Sequence, residues 1–161
     1  MGGIIMIMYK KITEDNFDDC LHLEVDDSQK NFVAENTHSL AQAWLYPNNA
    51  RPFAIYNGDE MVGFFMLDID HHCDGSHKVV GLWRLMIDKK HQGKGYGKAV
   101  MLDVIKYVRS EYNPEAFRTS IVSGNDVAEK LYKSLGFIPN GEYDGDEAVM
   151  LLEFQKLCKI G

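Results

Sequence analysis

The segment "HQGKGYGKAV", residues 91–100, alternates three glycines with larger residues just before an apolar stretch. The preceding residues 78–88, "KVVGLWRLMID", are rich in branched and aromatic side chains and predict a strand. Residues 96–112 then carry apolar side chains at steps of three and four, which predict a helix. A strand, a glycine-rich turn and a helix therefore follow one another here.

This order of elements exposes backbone N–H groups at the start of a helix. Such amides have no partner within the helix, and together with the helix dipole they bind anions such as phosphate. Glycine lets the backbone approach an anion closely, and Lys94 and Lys98 add positive charge. The segment predicts a diphosphate site, with a turn that carries two solvated lysines as the alternative interpretation.

Two common nucleotide-binding motifs do not fit these residues. A P-loop needs Gly-Lys-Ser or Gly-Lys-Thr, whereas Lys98 is followed by Ala99. The dinucleotide-binding fingerprint places two residues between its second and third glycines, whereas a single residue separates Gly95 from Gly97. Neither motif therefore describes this turn.

The first half of the chain predicts one strand, two helices and a hairpin. The strand spans residues 4–11, and the first helix follows the turn residues of "TEDNFDDCLHL", residues 13–23. A second short helix has Ser39 as its expected N-cap. In residues 51–70, two β-rich runs flank an Asn-Gly dipeptide, which is typical of a tight hairpin turn.

The second half continues with alternating elements. Residues 117–122 predict a strand, residues 125–137 predict a helix with Asn125 as its N-cap, and residues 148–157 predict a last strand. The order of elements indicates an α/β or α+β fold around one sheet. No repeat or linker divides the chain, so we expect residues 1–161 to form a single domain.

Composition and charge limit the partners of the protein. The net charge of −7 argues against a non-specific nucleic-acid binder, which needs a basic face. No apolar run approaches the ~20 residues that a membrane helix needs. The three cysteines share no metal-like spacing, which favours a reducing cytoplasm. Residues 70–77, "DHHCDGSH", are interpreted as a polar loop, and no metal site is expected.

Two motifs of this chain resemble the GNAT superfamily of N-acetyltransferases. Residues 92–97, Gln-Gly-Lys-Gly-Tyr-Gly, are similar to that family's acetyl-CoA signature, Gln/Arg-x-x-Gly-x-Gly/Ala. Residues 125–137 are similar to its Asn-x-x-Ala…Leu-Tyr-x-x-x-Gly-Phe motif, and the resemblance extends over residues 4–154. It implies a central mixed, mostly antiparallel sheet of about six to seven strands flanked by about four helices.

The resemblance also implies that acetyl-CoA is the co-substrate and lies against the strand ending at "RLMID". Main-chain groups of this strand would pair with the pantetheine arm, and amides of the glycine segment would bind the diphosphate. Asn125 would reach the pantetheine arm in addition to capping its helix. The implied cofactor-binding residues are Leu85, Met86, Ile87, Gln92, Gly93, Lys94, Gly95, Tyr96, Gly97, Lys98 and Asn125.

The implied chemistry is direct attack by a neutral amine on the thioester carbonyl. Tyr132 occupies the family's tyrosine position and would give its proton to the leaving sulfur, the alternative being an aromatic packed in the core. The glutamate that some relatives use as a base is absent, because Trp83 and Arg84 stand on that strand. The base remains open among the carboxylates Glu24, Asp26, Asp68, Asp70, Glu142 and Asp144.

A narrower resemblance concerns the acceptor. The tail that carries Gly141, Glu142, Asp144, Glu147 and Met150 is similar to that of bacterial spermine/spermidine N-acetyltransferases. It implies acetyl transfer to a primary amine of a small cationic acceptor, such as spermidine or spermine, in a ternary complex. An aminoglycoside, an amino acid or a protein N-terminus is the alternative acceptor, and a non-catalytic acyl-CoA-binding module is the alternative function.

Two further expectations concern apolar residues. By analogy with relatives, a homodimer is one expectation, and the apolar final strand around residues 150–154 could pair in it. Aromatic residues of the first half either belong to the core or form the walls of a substrate groove; they are Phe32, Trp44, Tyr46, Phe53 and Tyr56.

Overall fold

The computed structural model describes residues 3–155, so Cys158 and the end of the expected final strand lie outside it. Within this range the strands are β1 (Ile7–Lys11), β2 (Ala50–Asn57), β3 (Glu60–Asp68), β4 (Val79–Ile87), β5 (Ala116–Ile121), β6 (Ile138–Asp144) and β7 (Glu147–Glu153). The helices are α1 (Phe17–His22), α2 (Asn36–Leu45), α3 (Tyr96–Tyr112) and α4 (Asp126–Ser134). No helix formed by the described residues is long and apolar enough to cross a membrane.

All these strands form one sheet in the order β1-β2-β3-β4-β5-β7-β6. Neighbouring strands are antiparallel except β4 and β5, which run parallel. The expected α+β architecture, with a mixed and mostly antiparallel sheet of seven strands and four helices, is confirmed.

Helices cover both faces of this sheet. On one face, α3 buries Val100, Val104 and Val108 completely against a core that includes Phe117 of β5. The steps of four residues between these valines place them on one side of the helix, which is why α3 packs there. On the other face, Cys20 of α1 joins a second apolar cluster beneath α1 and α2.

Strand β4 has two irregularities that shape the site. Its register with β3 shifts so that Trp83 is an extra residue, which forms a bulge. Its parallel pairing with β5 joins residues 79–81 to residues 116–118. Beyond that point the two strands diverge, and within residues 3–155 no strand pairs with this edge of β4. A gap therefore opens in the middle of the sheet beside residues 82–87.

The two edges of the sheet differ from the sequence-based expectation. β1 begins at Ile7 rather than at residue 4, because the Met6 amide donates to Asn57 Oδ1, at 2.9 Å, instead of joining a strand ladder. β6 was not expected as a strand. Its sequence contains Pro139 and Gly141, residues that are rare inside strands, and all of its residues are exposed.

Three expectations concerned helix boundaries, and those for α3 and for the start of α4 are confirmed. The expected N-cap Ser39 is wrong, because α2 begins one turn earlier, with Glu35 as its N-cap. The Ser39 amide already donates to the Glu35 carbonyl oxygen at 3.1 Å, so this residue lies inside the helix. The expected bounds of α3 are correct. In α4, Asn125 is the N-cap as expected, and its side chain accepts from the Ala128 amide at 3.3 Å.

The final strand around residues 150–154, the expected surface for a homodimer, lies inside the sheet over residues 148–151 rather than at its edge. β7 lies between β5 and β6 and pairs with both. Residues 148–151 therefore have neighbouring strands on both sides, whereas residues 152 and 153 pair with β5 alone. Within the described part of the chain, β1 and β6 are the strands at the edges of the sheet.

Candidate active site

Two adjoining cavities open where β4 and β5 diverge. The glycine-side cavity, of about 400 Å³, lies beside the turn before α3 and the end of β4. The charged cavity, of about 620 Å³, lies on the side of Arg84, Arg118 and Glu147. Both cavities are lined by Phe32, Val33, Leu85, Asn125, Ala128 and Tyr132. These shared residues form the junction between the two spaces.

The turn before α3 presents bare backbone to the glycine-side cavity. Gly93 and Gly95 have φ values of +73° and +83°, which favour glycine. A Cβ at Gly93 would meet no atom within 4 Å, and at Gly95 the nearest atom would be Ile5 Cδ1 at 3.9 Å. The amides of the first turn of α3 also have no partner within the helix. The open space and these donors fit a diphosphate group.

Gln92 closes this turn. Its side-chain amide donates to the main-chain oxygen of Ile87 at 3.0 Å and to Gln29 Oε1 at 2.7 Å. All the residues expected to bind the cofactor line the glycine-side cavity except Lys94 and Lys98, which lie at exposed positions.

Tyr96 contributes to the site through its main chain rather than its ring. The ring is buried in the core beneath α3. Its hydroxyl accepts a hydrogen bond from Asn57 Nδ2 at 2.8 Å. The aromatic residue between Gly95 and Gly97 therefore anchors the start of the helix, while the flanking glycines keep the backbone accessible.

The unpaired edge of β4 forms another wall of this cavity. Leu85, Met86 and Ile87 line the glycine-side cavity. Beyond Gly81, β4 still pairs with β3 but no longer with β5, so the edge that faces β5 is open. An extended molecule that carries amides can pair with such N–H and C=O groups as an added strand does. The pantetheine arm of CoA is a molecule of this kind, so the edge fits it.

Tyr132 lies on α4 at the junction of the cavities. Its side chain is 7% exposed and packs against Phe137, with ring centroids 5.5 Å apart. Burial raises the pKa of Tyr132 to about 12, although a hydrogen bond with Thr119 acts to lower it. The phenol is therefore protonated at neutral pH and can serve as a donor. Tyr132 is thus both a core aromatic and a residue of the cavity wall.

Most charged side chains of the charged cavity have partners. Arg118 Nη2 lies 3.3 Å from Asp144 Oδ2. The Ser120 hydroxyl donates a hydrogen bond to Glu147 Oε2. Both pairs bridge β5 to the β6–β7 hairpin, on the side of the sheet that faces this cavity.

Arg84 is the cation closest in sequence to the bulge of β4. It donates to Gln42 Oε1 at 2.9 Å and to the Trp83 main-chain oxygen at 2.8 Å. Its buried Nε has no partner among the described residues. Burial lowers the pKa of Arg84, whereas the charge of Glu147 acts to raise it.

The structure separates the carboxylates that were left open as a base. Asp68 and Asp144 line the charged cavity, whereas Glu24, Asp26, Asp70 and Glu142 do not. Glu147, which the sequence analysis named only as part of the acidic tail and not among the candidate bases, also lines it. The available signal was its place in the acidic tail motif, immediately before the apolar residues of β7.

The polar loop at residues 70–77 contributes His71 to the same cavity. His71 Nδ1 lies 3.5 Å from Asp68 Oδ2. Among the residues that the structure describes, no three His, Cys, Asp or Glu side chains are grouped so that they could hold a metal ion. The loop therefore contributes a histidine–carboxylate pair to the cavity wall.

The aromatic residues of the first half divide between core and cavity. Phe53 and Tyr56 are buried in the sheet. Phe32 lines both cavities. Trp44 and Tyr46 are exposed at the end of α2.

The sequence of this chain is similar to those of known proteins. Residues 14–137 match the model of the acetyltransferase (GNAT) family. A probable spermine N(1)-acetyltransferase of Bacillus subtilis subsp. natto (strain BEST195) is 32% identical over 150 residues, which cover 91% of this chain and 98% of that protein.

Solved structures share the fold. An aminoglycoside acetyltransferase AAC(6')-Ib in complex with coenzyme A has a TM-score of 0.75 at 13% identity, covering 92% of this chain and 95% of that chain. A spermidine N-acetyltransferase from Vibrio cholerae, in complex with CoA and spermine, has a TM-score of 0.69 at 17% identity. The match covers 90% of this chain and 92% of that chain. This chain belongs to the acetyltransferase (GNAT) family and is an acetyl-CoA-dependent N-acetyltransferase.

Proposed function

We propose that this enzyme transfers the acetyl group of acetyl-CoA to a primary amine of a polyamine such as spermidine or spermine, by direct attack in a ternary complex. The proposal depends on one observation: two cavities meet at Tyr132, one suited to the cofactor and one lined by carboxylates. The 32% identity to a probable spermine N(1)-acetyltransferase supports the acceptor class.

Each wall of the glycine-side cavity has a role in this proposal. Amides of residues 93–98 bind the diphosphate, and the edge of residues 85–87 pairs with the pantetheine arm. Asn125 reaches the same arm from the start of α4. A main-chain amide of that edge polarises the thioester carbonyl and stabilises the developing oxyanion. Tyr132 gives its proton to the sulfur as the C–S bond breaks.

The charged cavity receives the acceptor. Its carboxylates Asp68, Asp144 and Glu147 attract ammonium groups. Three cations line the same cavity. The positive charge of Arg118 is offset by the nearby Asp144, that of Arg84 by Glu147, and that of Lys30 by Asp27. Spermidine and spermine match this arrangement because their ammonium groups are separated by methylene chains, which need an apolar or neutral surface between the charges.

A panel of acceptors tests the proposal. We expect purified enzyme with saturating acetyl-CoA to release thiol faster with spermidine or spermine than with an aminoglycoside, a free amino acid or a peptide N-terminus. No release with any polyamine would contradict the proposed acceptor. Tight acetyl-CoA binding without transfer to any amine would instead favour the non-catalytic module.

We also propose that residues 1–161 form one N-acetyltransferase domain. In support, every strand among residues 3–155 joins the same sheet, and the helices pack on its two faces. A homodimer that forms by strand pairing would use β1 or β6, the strands at the sheet edges within this range.

A further inference from the structure

A histidine–carboxylate pair lies in the charged cavity beside the loop between β3 and β4. His71 Nδ1 is 3.5 Å from Asp68 Oδ2, and the side chains are 28% and 21% exposed. Both residues line the cavity that also contains Tyr132. The His71 amide donates to the Val79 carbonyl oxygen at 3.1 Å, which fixes the loop to the start of β4. The pair is therefore held in place and still accessible to an acceptor.

Asp68 is bound so that one of its oxygens remains for His71. Asp68 Oδ1 accepts from Asn49 Nδ2 and from the Asp70 amide, both at 3.3 Å. Burial acts to raise the pKa of Asp68, but hydrogen bonds from His71, Asn49 and the Asp70 amide lower it overall. The ionised carboxylate favours the His71 tautomer with its proton on Nδ1, which leaves a lone pair on Nε2.

The other carboxylates of the cavity are less suited to accept a proton from an amine. Asp144 lies 3.3 Å from Arg118, and Glu147 accepts a hydrogen bond from Ser120. One oxygen of each of these carboxylates is thus engaged by a protein partner, whereas a neutral imidazole presents a ring-nitrogen lone pair to an acceptor. No hydrogen bond from the described residues engages His71 Nε2. This leaves an imidazole nitrogen available within the acceptor cavity.

We propose that His71, positioned by Asp68, removes the proton from the acceptor ammonium group, an inference that rests on the proposed function. Nε2 takes one proton from the ammonium, and the neutral amine then attacks the thioester carbonyl carbon. The N–C bond forms and the C–S bond breaks. Tyr132 protonates the thiolate and regains a proton from the new amide nitrogen, while His71 releases its proton to solvent. One acetamide, one thiol and one proton result.

Several charged and titratable groups lie around His71. Asp68 comes from β3, six groups come from the loop itself, and the others come from the remaining elements that form the cavity. The charged and titratable groups that share the cavity or the loop with His71 are Lys30, Asp68, Asp70, His72, Cys73, Asp74, His77, Lys78, Arg84, Arg118, Tyr132, Asp144 and Glu147.

The test compares His71→Gln with His72→Gln, the same change at the exposed neighbouring residue. We expect His71→Gln to lower kcat/KM for spermidine about 10²-fold at pH 7. Its remaining activity should rise about tenfold per pH unit toward an amine pKa of about 10.4, because only free amine then reacts. His72→Gln should keep the wild-type profile. Acetyl-CoA affinity, measured by calorimetry, and Tm should be unchanged in both variants.

Two further variants separate a proton acceptor from a structural residue. Exogenous imidazole should restore activity to His71→Ala but not to Tyr132→Phe. Asp68→Asn should reduce kcat/KM less than His71→Gln does, because the imidazole remains but is less well oriented. The inference is overturned if His71→Gln keeps the wild-type kcat/KM and pH profile, or if its loss merely follows a fall in Tm. Wild-type enzyme that acetylates no member of the acceptor panel overturns the proposed function itself.

Discussion

Gly63 of β3 lies so close to Met86 of β4 that no side chain fits between them. A Cβ at Gly63 would overlap the Met86 main-chain oxygen and would approach Ile87 Cδ1 to 3.0 Å. The two strands pair at this point. A glycine on the neighbouring strand therefore sets the position of the β4 edge that we assign to the pantetheine arm.

We expect Gly63→Ala to destabilise the protein and to weaken acetyl-CoA binding. The overlapping atom belongs to the backbone, so β4 must shift, at a cost of about 1–3 kcal/mol. For a domain of this size, each kcal/mol lowers Tm by about 2–4 °C. Thermal unfolding and calorimetry with acetyl-CoA measure the two effects.

Gly81→Ala, on β4 itself, is the matched control for this prediction. A Cβ at Gly81 would meet its nearest atom, Asp68 Cβ, at 3.5 Å, which is an ordinary contact. We therefore expect a smaller change in Tm than Gly63→Ala produces. Equal Tm values for wild type and Gly63→Ala would show that the β4 edge is not fixed by this contact.

Tyr132→Phe should lower kcat about 10²-fold while acetyl-CoA affinity stays near the wild-type value. Phenylalanine keeps the packing against Phe137 and removes the hydroxyl at the junction of the cavities. Because the pKa of Tyr132 is raised to about 12, the group stays protonated, and its ionisation should cause no loss of activity below about pH 10. An unchanged kcat in steady-state assays would remove Tyr132 from the mechanism.

Asp88→Asn should loosen the connection between the end of β4 and the segment that precedes α2. The buried Asp88 carboxylate accepts from the Glu24 amide at 2.9 Å and from the Lys90 amide at 3.1 Å. An asparagine places a donor against one of these N–H groups, which costs about 1–3 kcal/mol. Urea unfolding measures the loss. Asp74→Asn, which alters an exposed carboxylate bonded to the Ser76 amide at 2.9 Å, should have a much smaller effect.

Asp68 should make stability depend on pH in the acidic range. Its pKa is lowered in the folded protein, because hydrogen bonds from His71, Asn49 and the Asp70 amide outweigh the effect of burial. A group of this kind stabilises the fold above its unfolded pKa of about 3.9, and the contribution is lost as pH falls through the lower folded value. The wild type should therefore lose more unfolding free energy than Asp68→Asn does between about pH 5 and pH 2.5. Equal losses of unfolding free energy in the wild type and in Asp68→Asn over this pH range would contradict the prediction.

The sequence predicted the elements that contain strong local signals. Residues 96–112 carry a regular apolar period, and Asn125 is a typical N-cap, so α3 and the start of α4 were predicted correctly. Ser39 was misassigned because a serine inside a helix and a serine at its start look alike in sequence. The exposed strand β6 lacks an alternating apolar pattern altogether, so no local rule reveals it.

In the site, too, the sequence predicted the part that adjacent residues specify and not the part that depends on distant contacts. The backbone of the turn before α3 is specified by adjacent residues, so most expected cofactor residues line one cavity. The acceptor side depends on contacts between residues that are far apart in sequence. Glu147 meets Ser120, and Arg84 meets Gln42, only after the sheet has formed. No spacing in a single sequence encodes those contacts.

The central claim is that the open backbone of the turn before α3 binds the diphosphate of acetyl-CoA. Calorimetry with acetyl-CoA on the wild type, Gly95→Asp and Gly75→Asp tests it most directly. Gly75 also has a positive φ, +73°, and open space around it, so it controls for backbone strain outside the glycine-side cavity. We predict that wild type and Gly75→Asp bind acetyl-CoA with similar affinity, and that the carboxylate of Gly95→Asp lowers the affinity at least about tenfold. Absence of binding to the wild type, or equal affinity in Gly95→Asp, would contradict the claim.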